Sequence, residues 1–373
     1  MKTVLITIFL ILFVFPGFGQ NDSALYSFFI AGHTYGQPGV NNIGFHPPFK
    51  EKFSYIQNRP EIKFGVLTGD IVSPDPVAQD WDEIDADILE LGIPVYFAVG
   101  NHDMENRPLF ESRYGITYYD FVFRNDLFLV LDPNIDGWSI TGTQLNFMQE
   151  VVEEYSEEVD NIYVFFHQIL WKDYDNQFSY IRWNSSAGRG DSVNFWSGVM
   201  PVFQSLSNQV YMFAGDLGAS WSSDVTYDHF DNITLISSGM GDEDGENFVV
   251  VNVEEDKSVS YDLICLSDTN INCLGQLTDY IVVDELSNID ELQRKEISRV
   301  MLYPNPASNS VTILTDTKRE TKIQLFDLQG RLVFEQLAST QSFLIDISNM
   351  SKGIYLVKTH NNSTQSTVKL VIE

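Results

Sequence analysis

The sequence predicts a layered α/β domain followed by a small all-β domain. Short apolar segments alternate with helical stretches from about residue 25 onward, and the apolar segments run into loops rich in Gly, Asp, Asn or His. After about residue 300 the pattern changes to short alternating strands separated by turn residues. A chain of 373 residues with 44% hydrophobic residues is long enough to bury a core in both parts.

Residues 1–19 have the layout of a secretory signal peptide. Lys2 precedes an apolar run at 4–15, and the small residues Gly17 and Gly19 follow it before Gln20. A run of 12 residues is shorter than the roughly 20 that cross a bilayer as an anchor. The sequence therefore predicts export, cleavage near Gly19 and no transmembrane anchor.

The acidic charge is concentrated in the first part of the chain. The net charge is -30, yet residues 291–373 hold 10 Lys and Arg against 8 Asp and Glu. We place a domain at 20–274, a polar linker at 275–298 and a second domain at 299–373. A strongly acidic domain repels phosphate backbones, so nucleic acid is not expected as a partner.

The first domain is predicted to contain at least six strands and three helices. The strands are expected at 27–31, 63–68, 94–99, 127–131, 163–166 and 210–214, and the helices at 77–90, 142–154 and 194–206. Thr141 and Gln144 have the spacing of a capping box at the second helix. The strand-rich segment 225–266 is interpreted as the second sheet of a two-sheet sandwich. Cys265 and Cys273 in an exported chain predict a small disulfide loop.

Polar side chains follow successive strands at their carboxyl ends, where ligands collect in α/β sheets. Carboxylate, amide and imidazole groups that converge there are the groups a hydrolytic metal centre needs. In chain order they are His33 and Tyr35, Asp70, Asn101 with His102 and Asp103, His167, and Asp216.

These motifs, taken in order, resemble those of the calcineurin-like metallophosphoesterases over about residues 25–255. The specific part is Leu67-Thr-Gly-Asp-Ile71 followed by Val99-Gly-Asn-His-Asp103. The resemblance implies the four-layer αββα sandwich of the purple acid phosphatase-like superfamily. It also implies hydrolysis of phosphate esters through a metal-activated hydroxide.

The resemblance assigns a role to each matching residue. Asp70 would bridge two metal ions, and Asn101 and His167 would bind the second ion. His102 would donate a proton to the leaving group or stabilise developing charge, oriented by Asp103. One divalent ion or two are implied, and the residues do not distinguish manganese, magnesium, iron, zinc and calcium.

Two family motifs are altered in this chain. His33 and Tyr35 stand at the positions of the first motif's Asp and His, and Asp216 and Gly218 stand at those of the last motif's histidines. Asp216 adds a carboxylate to the second site, which favours harder cations. His33 and Tyr35 are either ligands of an atypical first site or structural hydrogen-bonding groups. The alternative to an enzyme is a degenerate member that binds metal or ligand without hydrolysis.

Two further segments lie near this motif set. An aromatic-rich insert separates His167 from Asp216, and its Arg182 and Arg189 are candidate phosphate contacts; a packed surface loop is the alternative. The string 132–137 begins like a calcium loop but has Thr143 in place of the final Glu, so we interpret it as a solvated loop.

Residues 301–373 resemble the sorting domain that Bacteroidetes attach to type IX secretion cargo. The supporting motifs are Tyr303-Pro-Asn-Pro-Ala307, Asp327-Leu-Gln-Gly-Arg331 and Gly353-Ile-Tyr-Leu-Val-Lys358. The resemblance implies contact with the type IX secretion machinery and a secreted or cell-surface location. The alternative is a small carbohydrate-binding β-module.

Overall fold

The structure is a computed structural model that describes residues 24–37, 43–219, 222–241, 244–281, 300–303, 305–315, 321–327, 330–338, 342–360 and 365–373. The predicted signal peptide at 1–19 and most of the predicted linker lie outside these residues. Eleven strands and seven α-helices are described up to residue 281. The strands are β1 Ala24–Ala31, β2 Ile62–Thr68, β3 Val95–Ala98, β4 Tyr119–Phe123, β5 Asp126–Val130, β6 Asn161–Phe165, β7 Gln209–Leu217, β8 Thr226–Phe230, β9 Ile233–Gly239, β10 Asn247–Glu254 and β11 Val259–Cys265. The helices are α1 Pro47–Lys50, α2 Phe53–Gln57, α3 Ala78–Leu91, α4 Asn101–Met104, α5 Arg107–Tyr114, α6 Gly142–Tyr155 and α7 Met200–Gln204.

These strands form two sheets. The first has the order β11-β10-β1-β2-β3, and the second has the order β4-β5-β6-β7-β9-β8. Strands β1, β2 and β3 are mutually parallel, as are β5, β6, β7 and β9. All six strands predicted from the sequence are confirmed. The motif residues therefore lie at or directly after the carboxyl ends of strands.

The two sheets pack face to face through an aromatic core. Phe28 of β1 lies 5.3 Å, ring centroid to centroid, from Phe128 of β5 and 5.0 Å from Tyr163 of β6. All three side chains are fully buried. Edge-to-face aromatic pairs of this kind stabilise beyond their buried area, and strands covered on both faces need continuous apolar runs.

Helices cover the outer face of each sheet. Trp81 and Ile84 of α3 and Phe110 of α5 pack on the first sheet, and Met148 of α6 and Phe203 of α7 pack on the second. These helices bury their apolar face against a sheet and expose their polar face, as amphipathic helices do. The result is the four-layer αββα sandwich that the sequence predicts.

Three details of the sequence interpretation are wrong. The segment 225–266 is divided between the sheets, since β9 pairs with β7 whereas β10 pairs with β1. The third predicted helix is a π-helical turn, Phe195–Val199, followed by the short α7. Gln144 does not cap α6; its buried side chain instead bonds the backbone N–H and carbonyl of Asp132 at 2.6 and 3.1 Å.

The end of the first domain extends past residue 274. A 3-10 turn at Leu277–Tyr280 packs Leu277 into the core between the sheets, and Ile281 bridges to Tyr227. The predicted start of the linker therefore packs on the domain. The predicted disulfide between Cys265 and Cys273 is confirmed, with a Cα–Cα distance of 5.7 Å.

The described residues between 300 and 373 form two small antiparallel sheets. The strands are β12 Val300–Tyr303, β13 Ser310–Thr315, β14 Thr321–Asp327, β15 Leu332–Ala338, β16 Ser342–Asp346, β17 Gly353–His360 and β18 Gln365–Ile372. One sheet has the order β12-β13-β16 and the other β15-β14-β17-β18, and Val311, Leu325 and Val357 are buried in their shared core. The all-β prediction for this region is confirmed. Within the described part of the chain, every helix is too short or too polar to cross a bilayer.

Candidate metal centre

The candidate site lies where five strands end. His33 and Tyr35 follow β1, Asp70 follows β2, and Asn101 begins α4 after β3. From the second sheet, His167 follows β6 and Asp216 lies near the end of β7, next to an irregularity in its pairing with β9. Strand ends of both sheets thus supply the polar side chains.

Glycine residues let these strand ends approach each other closely. Gly69 has a φ of 84°, and a Cβ there would lie 2.4 Å from Nδ1 of His167. A Cβ on Gly100 would lie 2.2 Å from Oδ1 of Asp70. Asp70 itself has a φ of 48°, a left-handed conformation that is uncommon for a residue with a side chain. The glycines of the sequence motifs therefore have a packing role.

Three of the predicted ligands form one compact group. Asp70, His167 and Asp216 each offer a ligand atom, and these atoms lie within 4.8 Å of one another. Nε2 of His167 is 3.4 Å from Oδ1 of Asp70 and 3.7 Å from Oδ1 of Asp216. All three residues are buried, with exposed fractions of 2% or less.

The polar atoms of this group fit a cation. Nδ1 of His167 is 2.8 Å from the carbonyl of Thr68, which fixes the proton on Nδ1 and leaves a lone pair on Nε2. Nε2 of His167, both carboxylate oxygens of Asp216 and Oδ1 of Asn101 are buried without hydrogen-bond partners. Buried polar atoms without partners are costly, and this set of carboxylate, amide and imidazole groups fits a divalent cation.

The electrostatics of the group point the same way. Burial raises the pKa of Asp216 to about 8. Burial alone would lower the pKa of His167, but the carboxylates of Asp70 and Asp216 outweigh it and raise it to about 10. The neighbouring histidines hold the pKa of Asp70 below its usual range against the opposing effect of burial. Without a cation, protons compensate the buried carboxylates.

His102 lies at the edge of this group. Its Nδ1 is 3.3 Å from Oδ2 of Asp70, and its backbone N–H donates to Oδ1 of Asp70 at 3.1 Å. The side chain is 17% exposed while Nδ1 is buried. The Nδ1 atom therefore lies on the buried side of the imidazole, next to Asp70, and the exposed part of the side chain lies elsewhere.

Asp103 bonds the backbone instead of the His102 imidazole. Its Oδ1 accepts from the N–H groups of Ile71 and Val72 at 2.9 and 3.1 Å, and its Oδ2 accepts from Gly100 at 2.8 Å. Burial, and secondarily the charge of Asp70, raise the pKa of Asp103 to about 6. Asp103 thus ties the end of β2 to the start of α4, which positions Asp70 and Asn101.

His33 and Tyr35 lie against Asp70 but outside the three-residue group. Nε2 of His33 is 3.8 Å from Oδ2 of Asp70, and its Nδ1 is 2.7 Å from the carbonyl of Met240. Burial lowers the pKa of His33 to about 4, so the imidazole is neutral. Burial and the charges of Asp70 and Asp216 raise the pKa of Tyr35 above its usual range, so the phenol is neutral as well.

The two candidate substrate arginines are placed differently. Arg182 is exposed, and its guanidinium is 3.5 Å from the carbonyl of Ser222. The side chain of Arg189 is 7% exposed and pairs with Asp173 at 3.1 Å. Neither arginine has a described contact with Asp70, His167 or Asp216.

Sequence reasoning missed a polar network behind the site. Asn134 donates to the carbonyl of Val99 at 3.1 Å and accepts from Gln168 at 2.7 Å, so it joins the segments that carry Asn101 and His167. Asp132 holds Asn134 and pairs with Arg107 at 2.8 Å. The expectation of a solvated loop at 132–137 is therefore wrong for Asp132, which is fully buried. The calcium-like spacing of residues 132–137 was the only feature of the sequence that indicated a role for Asp132 and Asn134.

Comparison with known families identifies both parts of the chain. The family model of calcineurin-like phosphoesterases matches residues 33–251, more than half of the chain, and this protein belongs to that family. The model of the secretion system C-terminal sorting domain matches residues 301–373. Both resemblances found in the sequence are confirmed.

Individual proteins are similar to parts of this chain. A purple acid phosphatase from yellow lupin (Lupinus luteus) seeds has a TM-score of 0.47 at 14% identity, over 67% of this chain and 53% of its own. PorZ, a surface component of the type IX secretion system of Porphyromonas gingivalis, has a TM-score of 0.18 at 13% identity, over 34% of this chain and 21% of its own. An ulvan lyase from Nonlabens ulvanivorans is 35% identical over 80 residues, which cover 21% of this chain and 15% of the lyase.

Proposed function

We propose that this protein is an exported, metal-dependent phosphoesterase with one principal metal site. The ligands would be Asp70, Asn101, His167 and Asp216. The observation that carries the proposal is the group of buried acceptor atoms without donors, which lies at the strand ends where the family motifs converge. The carboxylate-rich set favours a hard cation such as manganese or magnesium.

A divalent cation held there supplies a Lewis acid for the phosphoryl oxygen and lowers the pKa of a water molecule. Asp70 and Asp216 provide the negative charge that holds it, and Thr68 fixes the His167 tautomer. His102 has a partly exposed imidazole beside Asp70, and we assign it proton donation to the leaving group. Asp103 acts as a positioning residue through its backbone hydrogen bonds.

His33 and Tyr35 are assigned to a second, atypical metal position shared with Asp70. The distance of 3.8 Å between Nε2 of His33 and Oδ2 of Asp70 supports a shared ion. Neither residue supplies the carboxylate of the usual first motif, so this position binds more weakly. Arg182 and Arg189 are assigned to substrate contact from the insert.

The sorting domain supports export through the type IX secretion machinery to the cell surface or the medium. We assign residues 1–19 as the signal peptide, 20–274 as the catalytic domain and 299–373 as the sorting domain. The packing of Leu277 between the sheets and the bridge of Ile281 to Tyr227 support a boundary of the catalytic domain a few residues later, near 281.

The test is metal analysis of the purified protein together with a screen of phosphate mono- and diesters. We expect one tightly held ion per chain and turnover of at least one ester class. His102→Ala should keep the metal and lose about 10²–10⁴-fold in kcat. Glu153→Ala, at an exposed position of α6, serves as the control and should match the wild type in metal content and kcat.

The second candidate is a degenerate member that binds metal or ligand without hydrolysis. The observation that favours it is the replacement of first-motif ligands by a neutral imidazole and a neutral phenol. Stoichiometric metal without turnover of any ester would select this candidate. A partly exposed His102 beside Asp70 speaks for the enzyme, because a binding protein needs no proton donor there.

A further inference from the structure

The insert between β6 and β7 brings two cations and two aromatic rings together. Nζ of Lys172 lies 4.1 Å from the ring centroid of Trp183 and 5.2 Å from that of Tyr174. Cζ of Arg189 lies 5.3 Å from the centroid of Tyr174 and 5.7 Å from that of Trp183. Each cation is attracted to the aromatic faces, but the two cations repel each other. The arrangement therefore holds two like charges around the same two rings.

The positive charge of this cluster is only partly compensated. Asp173 pairs with Arg189 at 3.1 Å, but its carboxylate is 43% exposed. Among the described residues, Lys172 has no carboxylate within ion-pair distance, and its Nζ is 3.3 Å from the carbonyl of Ser179. Nε of Arg189 is buried without a hydrogen-bond partner.

Burial makes this deficit costly. Lys172 is 6% exposed and the Arg189 side chain 7%, and buried charges are expensive unless they are paired. Burial, and then the charge of Arg189, lower the pKa of Lys172 despite the opposing charge of Asp173. Among the described residues, Lys172 is thus a buried cation without an ion-pair partner, and it lies beside Arg189, whose one carboxylate partner, Asp173, is partly exposed. An anionic group there would compensate the positive charge.

The segment that carries the cluster is hydrogen-bonded to the candidate metal centre at one end and follows His167 in sequence at the other. Asn184, which follows Trp183, donates from its N–H to the carbonyl of Asp216 at 3.1 Å and from its side chain to Leu217 at 3.0 Å. Lys172 lies five residues after His167. Trp183 immediately precedes Asn184, and consecutive Cα atoms are about 3.8 Å apart. The Trp183 backbone is therefore one residue away from the hydrogen bond to Asp216.

One ring of the cluster packs on a buried tryptophan, and the other ring is exposed to solvent. Trp138 is buried beneath Trp183 at a centroid distance of 5.3 Å, and its Nε1 donates to the carbonyl of Ala187 at 3.1 Å. Tyr174, by contrast, is 68% exposed. The Tyr174 ring is therefore open to solvent, and both cations lie within 5.3 Å of its centroid.

We propose that Lys172, Tyr174, Trp183 and Arg189 form a subsite, the basic aromatic subsite, for an organic anion that carries a flat ring. The identity of this anion rests on the proposed function: in a phosphoesterase, it would belong to the leaving group of the phosphoester substrate. Preferred substrates would then carry a second anionic group on a ring-bearing alcohol. Charge-assisted hydrogen bonds to the anion and stacking on Tyr174 supply the binding energy.

Binding to the full-length protein in EDTA tests the subsite without any catalysis. The probes are 2-naphthalenesulfonate, 2-naphthalenemethanol as the neutral ring, and inorganic sulfate as the anion without a ring. By isothermal titration, the sulfonate should bind at least about tenfold more tightly than either of the others. Equal affinity for the neutral ring, or no binding at millimolar sulfonate, would overturn the proposal.

Variants assign the binding to these residues. Lys172→Met and Arg189→Gln should each weaken sulfonate binding about tenfold or more, and Tyr174→Leu, at an exposed position, by a smaller factor. Lys63→Met removes an exposed lysine from β2 and should bind like the wild type. The same affinity in Lys172→Met as in the wild type would contradict the proposal.

Thermal unfolding separates a binding role from a packing role. If Lys172 serves only to pack on Trp183, Lys172→Met lowers the melting temperature and leaves the affinity for the sulfonate unchanged. If it serves the subsite, removing one of two repelling cations keeps or raises the melting temperature while binding falls. Absence of ester turnover would refute the phosphoesterase assignment and leave these binding results standing.

Discussion

Replacing Asp216 by Asn is predicted to stabilise the metal-free protein and to remove most of its response to metal. Burial raises the pKa of Asp216 to about 8 without a cation, against about 3.9 in an unfolded chain. At pH 7 the folded carboxyl therefore holds a proton that the unfolded carboxyl has lost. Holding that proton from pH 3.9 to pH 7 costs on the order of 4 kcal/mol.

An amide at this position carries no such cost but still lacks hydrogen-bond partners. A buried amide without partners costs roughly 1–3 kcal/mol. The free energy of unfolding of Asp216→Asn at pH 7 in EDTA should therefore exceed that of the wild type by about 1–3 kcal/mol.

The pH dependence of this difference has a defined sign. Below about pH 4 the carboxyl is protonated in both states, so the penalty is absent. Between about pH 4 and pH 8 the folded state holds one more proton, and wild-type stability falls relative to the variant by at most about 1.4 kcal/mol per pH unit. Above pH 8 the penalty is complete and the difference becomes constant.

The assay is thermal unfolding of the full chain in EDTA from pH 4.5 to 8, followed by addition of millimolar manganese at pH 7. Manganese should raise the melting temperature of the wild type by mass action and that of the variant far less. Asp191→Asn, at an exposed position, is the control. The reasoning fails if Asp216→Asn melts below the wild type in EDTA at pH 7, or if manganese shifts both proteins equally.

Three further predictions concern the scaffold of the site. Gly69→Ala should abolish the manganese-induced shift, because its Cβ would meet the His167 ring and its φ is positive; Gly115→Ala, with positive φ but open space, should cost about 1–3 kcal/mol and keep the shift. Asp103→Ala leaves three buried N–H groups without an acceptor, so urea unfolding should show a loss on the order of 3 kcal/mol or more; a loss below 1 kcal/mol would contradict its positioning role. Serine at both disulfide cysteines should lower stability by about 2–3 kcal/mol in urea, and an unchanged midpoint would show that the loop does not constrain the unfolded chain.

The sequence located the strands and the motifs well because their signals are local. A buried parallel strand needs a continuous apolar run, and a loop that carries ligands needs Gly, Asp, Asn or His directly after it. The six predicted strands and the disulfide were confirmed for this reason. Assignments that depended on pairing partners failed: nothing local distinguishes β9, which pairs with β7, from β10, which pairs with β1.

The same distinction holds for individual side chains. Gln144 has the spacing of a capping residue, yet its buried amide bonds Asp132. Asp103 has the position of a partner for His102, yet three backbone N–H groups occupy its carboxylate. Each of these side chains can satisfy its hydrogen bonds in several ways, and the choice depends on which distant segments arrive beside it.

The amino-acid sequence by itself determined the family of residues 33–251, the resemblance of residues 301–373 to a sorting domain and the order of the candidate ligand residues along the chain. Tertiary structure alone decided that Asp70, His167 and Asp216 share one buried space, whereas His33 and Tyr35 lie beside it. It also decided that Lys172 and Arg189 surround the same two rings. The physical reason is that residue type and spacing fix local conformation, while burial, pKa and charge balance arise only when segments distant in sequence pack together.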